Sequence, residues 1–165
     1  MTDWDRIVRL HGPMVFGLAW RILGHAADAE DVVQDVFLQA HQLHQAQPVR
    51  CWPAFLRRLT SCRALDRLRL RRQTVPLDGL SLASAEFEPD AALHEKELAE
   101  RLRQAISTLP PREGEVFCLR YFEELPYQEI AHTLHIQLGA VASALHKARA
   151  RLEGLLLEAL KGDRR

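Results

Sequence analysis

Apolar residues recur at helical spacing along almost the whole chain, and no credible strand run interrupts them. That period restricts the chain to an all-α fold. Pro13 suits a first helical turn, and Gly24 suits a C-terminal cap after Phe16, Leu18, Ala19, Ile22 and Leu23. A second helix is expected from near Asp28, with Ala29, Val32, Val33, Val36, Phe37 and Ala40 on one face. Glu30, Asp31 and Asp35 sit toward its N-terminal half, where negative charge favours the helix dipole. A third helix is expected from near Pro53 through Phe55, Leu56, Leu59, Leu65 and Leu68. Later helices are expected over Ala92–Leu109, Glu113–Phe122, Pro126–Leu134, and from Leu138 to about Leu160.

The one break in the pattern is residues 73–90, which carry Pro76, Gly79, Pro89 and two serines. This stretch reads as a linker between two small helical domains. Charge divides at the same place. The chain has 22 Lys and Arg against 22 Asp and Glu, which argues against a globally basic nucleic-acid binder. Yet residues 1–72 hold 11 basic side chains against 7 acids, residues 73–94 hold four acids and no Lys or Arg, and residues 95–165 balance. Residues 50–72 alone hold eight arginines against Asp66. The acidic connector is therefore expected to lie against this basic stretch in the free protein, as an electrostatic self-restraint.

Other classes are set aside by composition. No apolar run approaches the roughly 20 residues of a membrane span, and Met1 to Asp5 lack a secretory apolar core, so no membrane insertion is expected. Cys51, Cys62 and Cys118 fit neither a disulfide framework nor a metal motif, which points to a reducing cytoplasm. Asp28, Asp31 and Asp35 form a single helical stripe with no ligand set elsewhere, and the histidines are scattered. No metal, cofactor or catalytic residue is expected, and the chain is not read as an enzyme.

The sharpest local pattern lies at 126–145. Pro126 can open a helix whose Ile130 and Leu134 face inward, with small Ala131 at the helix crossing. His135 takes the turn, and histidine is among the residues enriched at positive φ. Val141 and Leu145 pack the second helix back on the first. This is helix-turn-helix spacing, the geometry that presents a recognition helix to a major groove. An ordinary helical hairpin shares the spacing; the following cations His146, Lys147, Arg149 and Arg151 favour DNA.

From Leu109 through Ala131, and on through Gly139-Ala-Val-Ala-Ser143 and Lys147-Ala-Arg-Ala-Arg-Leu152, the chain resembles region four of extracytoplasmic-function (ECF) sigma factors. Arg21 to Ala40 independently resembles the core-binding segment of their region two, and Ala64 to Arg72 the promoter-melting helix. The resemblance implies region two over residues 1–74, an acidic linker over 75–92 and region four over 93–165. It implies core RNA polymerase and promoter DNA as partners and allows an anti-sigma factor. The polymerase would be gripped by Asp28, Glu30, Asp31, Gln34 and Asp35, with Phe37 or Leu38 as apolar anchors. The minus-ten element would meet Arg57, Arg58, Arg63, Arg67, Arg69, Arg71 and Arg72. The minus-thirty-five element would meet Gln137, Ser143, His146, Lys147, Arg149 and Arg151. Trp52 and Phe55 could serve a base pocket, though Phe55 reads better as core, and Asp66 reads as an ion-pair partner within its own helix.

Departures from the family pattern sharpen the expectation. Ala140, Ala142 and Ala144 stand where the family commonly has a threonine, a lysine and an arginine, and Cys62 stands where asparagine is usual. Region four is therefore expected to bind DNA weakly or with altered specificity. Two rival readings remain at this level: a helix-turn-helix regulator independent of polymerase, and a protein-only adaptor.

Overall fold

The computed structural model describes residues 3–74 and 90–162, except for the side chains of Asp90 and Leu160. Among them there are seven α-helices and no strand. Three form a first bundle: α1 (Trp4–Leu23), α2 (Ala26–Ala46) and α3 (Trp52–Thr74). Four follow: α4 (Asp90–Ser107), α5 (Pro111–Tyr121), α6 (Tyr127–Leu134) and α7 (Leu138–Gly162). Most of the connector, residues 75–89 with Asp78, Glu86 and Glu88, lies outside the described residues.

Helix ends follow local chemistry. The Asp3 carboxylate accepts from the Arg6 amide at 3.1 Å and starts α1 nine residues before Pro13. Pro13 is therefore inside a helix, not in its first turn. The cost of its missing N–H is borne by a helix anchored by buried Ile7 before it and by buried Val15, Leu18, Ala19, Ile22 and Leu23 after it. Gly24 ends α1 at φ 65°, and its amide donates to the Trp20 carbonyl at 2.7 Å. The positive φ favours glycine here, and a Cβ would also press on the flexible guanidinium end of Arg103 of α4. The α2 helix opens two residues earlier than its acids suggest, because His25 Nδ1 accepts from the Asp28 amide at 3.3 Å.

The central element is α3. It contacts α1 and α2 within the first bundle and also α4, α5 and α6 of the second. A helix covered on several faces needs small residues where neighbours approach, and Thr60, Ser61 and Ala64 are buried there beside Leu56, Leu65 and Leu68. The two hydroxyls are satisfied internally: Thr60 donates to the Leu56 carbonyl at 2.6 Å and Ser61 to the Arg58 carbonyl at 3.0 Å. On the far side, Gly114 of α5 sits so close to α3 that a Cβ would lie 3.2 Å from Leu65 Cδ1.

The second helical unit closes around Ile106, Val116, Leu119, Ile130, Leu134, Val141 and Leu145. Its turns use left-handed backbone at Glu124 (φ 53°) and His135 (φ 54°). Beyond His135 the Ile136 amide reaches back to the Ala131 carbonyl at 3.0 Å, which fixes the angle at which α7 leaves α6.

Candidate polymerase and nucleic-acid interface

Helix α2 sorts its acids by depth. Asp28 is fixed from within: Arg67 donates to it at 3.0 Å and Arg71 donates to its other oxygen. Arg71 also donates to the Leu23 carbonyl at 3.3 Å, closing α3 onto the end of α1. Burial alone would raise the Asp28 carboxyl, but the hydrogen bonds from Arg71 and Arg67 outweigh it and hold the group below its ordinary value. Asp31 shares Arg67 at 2.9 Å. Beside them Glu30, and one turn further Gln34 and Asp35, are exposed, and no ion pair engages Glu30 or Asp35 among the described residues. Leu38 is 64% exposed beside them, a large apolar side chain on an otherwise polar face. Phe37 faces the other way: it is buried against the core and meets the Trp4 ring edge-on at 6.3 Å. Of the two expected apolar anchors, only Leu38 is available.

The arginines of α3 are largely engaged. Arg67 and Arg71 bind the α2 acids, and Arg63 donates to Gln39 at 2.9 Å. Asp66 pairs Arg69 within the helix at 3.0 Å, and Arg69 also reaches the Leu109 carbonyl at 3.3 Å. Arg57 donates at 3.0 Å to Glu123, which lies in the turn after α5. Arg72, at the exposed end of the helix, has no ion-pair partner among the described residues. Arg58 is exposed and lies near enough to act on the Glu115 carboxylate. Trp52 and Phe55 are half-buried: Trp52 packs edge-on against Trp4 (5.7 Å) and Phe55 (6.0 Å). Cys62 as a residue is exposed, but its thiol lies partly covered, and that desolvation together with the nearby Asp66 and Glu115 carboxylates pushes it up.

Gln137 is exposed just before α7, and the exposed face of α7 carries Ser143, His146 and Lys147, with Ala140 and Ala142 beside them. Ala144 is different. It is buried against the domain core, so this position contributes packing rather than a missing phosphate contact. The expected loss is thus one cation and one hydroxyl. Arg149 and Arg151 are tethered: Arg149 donates to the Tyr121 hydroxyl at 2.6 Å with its guanidinium over the ring, and Arg151 pairs Glu113 at 2.9 Å. No ion pair or hydrogen bond engages His146 or Lys147 among the described residues.

Glu113, Glu115, Tyr121 and Glu123, the groups that hold these cations, were not singled out by sequence reasoning. Arg21 and Arg57 are 102 and 66 residues from Glu123, and no local pattern reports such a pair. Among the described residues no cluster of His, Cys, Asp and Glu could hold a metal, and no helix is long and apolar enough to cross a membrane.

Comparisons with known proteins agree with this geometry. The sigma-70 region 2 family matches residues 7–74, and the sigma-70 region 4 family matches residues 99–152. The ECF RNA polymerase sigma factor SigE of Mycolicibacterium smegmatis is 32% identical over 94% of this chain, which spans 62% of that protein. SigW of Bacillus subtilis is 28% identical, with 88% of this chain and 84% of SigW covered. Among solved structures, CnrH in complex with the cytosolic domain of CnrY matches with a TM-score of 0.57 at 27% identity, over 93% of this chain and 86% of CnrH. The sigma factor RpoE of Bartonella quintana, bound to the anti-sigma factor NepR, shares the fold at a TM-score of 0.53 and 19% identity, over 94% and 98%. Two sigma regions in the family's order, each on its own helical unit, make this chain a member of the ECF sigma factor family.

Proposed function

We propose that the chain binds bacterial core RNA polymerase through α2, directs it to promoters, assists melting of the minus-ten element with α3 and reads the minus-thirty-five element with α7. The observation that carries this reading is the division of exposed groups. Glu30, Gln34, Asp35 and Leu38 form one unpartnered polar stripe with an apolar anchor, suited to a basic protein surface. Gln137, Ser143, His146 and Lys147 form a second exposed set on a helix-turn-helix, suited to base edges and phosphates. The units are assigned as region two over 1–74, a linker over 75–92 and region four over 93–165.

The polymerase contact is assigned to the exposed members of the acidic set, with Asp28 positioning α2 from beneath and Asp31 shared between the two tasks. On α3, Arg58 and Arg72 are available for phosphates, whereas Arg57 and Arg69 become available only when their acceptors in the second unit move away. Sigma factors are non-enzymatic regulators, and the chain is read as such, acting in the cytoplasm without membrane insertion. CnrH was solved with the cytosolic domain of CnrY and RpoE with the anti-sigma factor NepR, and an anti-sigma partner is proposed for this chain. Run-off transcription with core polymerase tests the whole reading. Promoter-dependent transcripts are expected; their absence, together with failure to retain core polymerase in a pull-down, would refute it.

A further inference from the structure

Among the described residues, a cavity of about 470 Å³ opens between the end of α3, the second half of α4 and the end of α7. Folded interiors hold few voids larger than a water molecule, so a gap of this size between helices forfeits contacts on every wall. The wall is apolar. Leu68 and Ala105 are buried behind it, Leu156 is half-buried and Leu155 is 38% exposed. The polar border is dominated by cations: Arg71, Arg72, Arg101 and Arg103 stand against Glu100. Arg71 is occupied by Asp28 and the Leu23 carbonyl, but Arg72 has no ion-pair partner among the described residues. Arg103 is the least satisfied. Its guanidinium lies over Gly24 at the end of α1, and its Nη1 is 3.9 Å from Glu100. Its Nε is buried with no hydrogen-bond acceptor among the described residues. A buried donor left without an acceptor costs free energy that an added anionic oxygen would recover.

We propose that this cavity binds a small carboxylate amphiphile of the fatty-acid class, with its apolar chain against Leu68, Leu155 and Leu156 and its carboxylate toward Arg103 and Arg72. A guanidinium fork meets a carboxylate through two parallel hydrogen bonds, so this border suits a carboxylate head better than a hydroxyl or an ammonium. An apolar cavity with a few placed polar groups is the ordinary make-up of a small-molecule site. It lies apart from the acidic stripe of α2 and from the exposed set between Gln137 and Lys147.

Sodium decanoate, kept below its micellar concentration, is the probe for the full-length protein. Isothermal titration calorimetry is expected to show one site, and saturating decanoate is expected to raise the unfolding midpoint by about 3 °C. In methyl NMR the shifts should centre on Leu68, Leu155 and Leu156. Decanol should bind roughly tenfold more weakly, and decyltrimethylammonium should not bind there. Arg103→Gln should weaken decanoate by about tenfold and leave decanol unchanged, a split that a general loss of structure would not produce. Ala159→Trp, at an exposed position on the cavity wall, should weaken both. Absence of decanoate binding, or shifts spread over leucines away from the cavity, would overturn the assignment. Equal affinity for decanoate and decyltrimethylammonium would overturn the carboxylate class. Contacts between residues 75–89 and the Leu155 methyls in the unliganded protein would overturn it too, since the connector would then fill the space.

Discussion

Helices α3 and α7 each carry a row of cations, and they hold them differently. On α3, Arg57, Arg63, Arg67, Arg69 and Arg71 all have acceptors within the chain. On α7, His146 and Lys147 stand open while Arg149 and Arg151 are tied to α5. A count of charges therefore overstates what α3 can offer in the free protein. The same contrast runs along α2, where Asp28 is consumed by α3 and Asp35 is not. Engaged charges set the fold, and open charges are left for partners.

The largest expected effect breaks this contrast at its open end. Reversing Glu30 and Asp35 to lysine should abolish retention of core polymerase and lower run-off transcription by about 100-fold or more, because an apposed basic surface would then be repelled. Circular dichroism should show the fold unchanged. If the doubly reversed protein still captures polymerase, the α2 stripe is a solvated face and the interface lies elsewhere. Leu38→Ala should lower retention in the same direction without any charge change.

Asp28→Asn breaks the engaged end. It removes the charge that Arg67 and Arg71 share, and stability should fall by about 2 kcal/mol at neutral pH, measured by urea unfolding. The pH dependence follows the sign of the shift. Asp28 sits below its ordinary value in the folded chain, so its contribution is present above the unfolded value and is lost as pH falls through the folded one. Glu115 sits above its ordinary value, so its ionisation costs stability as pH rises through the carboxylate range. Asp28→Asn should flatten the acid limb of the stability profile, and Glu115→Gln should change it in the opposite sense. Identical acid limbs in wild type and Asp28→Asn would show that the ion triad does not hold α2 to α3.

These opposed carboxylates mark what was legible in the sequence. Apart from the start of α1, nine residues before Pro13, periodicity and punctuation located the starts of the described helices to within a few residues, because each amphipathic face repeats locally. The left-handed turn at His135 was legible for the same reason, since a turn is a property of neighbours. Pro13 misled because the cap at Asp3 and the buried face of α1 outweigh one missing hydrogen bond. Phe37 was offered beside Leu38 as an anchor although the period already puts it on the apolar face of α2, and its burial against Trp4 leaves Leu38. Ala144 was read as a lost cation because the family pattern reports residue type and not depth. The site residues that escaped, Glu113, Glu115 and Glu123, act across the fold, where no local period reaches.

Lys147→Ala sharpens the comparison on α7. Lys147 is exposed and unpartnered among the described residues, so its loss should weaken duplex binding of the minus-thirty-five element several-fold and lower the salt slope by about one. Fluorescence anisotropy across a salt series measures both. An unchanged slope would mean that α7 does not lie along the phosphates in this orientation.

Arg149→Ala is the smallest expected change and the most discriminating control. In sequence it is a cation of the same basic run, two residues from Lys147, and a charge count treats the two as equal. In the fold its guanidinium lies over the Tyr121 ring, 5.4 Å from the centroid, and donates to the hydroxyl. Moving it to a phosphate would forfeit both contacts, so it should contribute little to DNA binding as the free protein stands. The expected result is a salt slope within error of the wild type and a stability loss of no more than about 0.5 kcal/mol. A slope lowered as far as in Lys147→Ala would show that Arg149 leaves Tyr121 on binding. Engaged cations on α7 would then be a reserve that DNA can draw on, as Arg57 and Arg69 are proposed to be on α3.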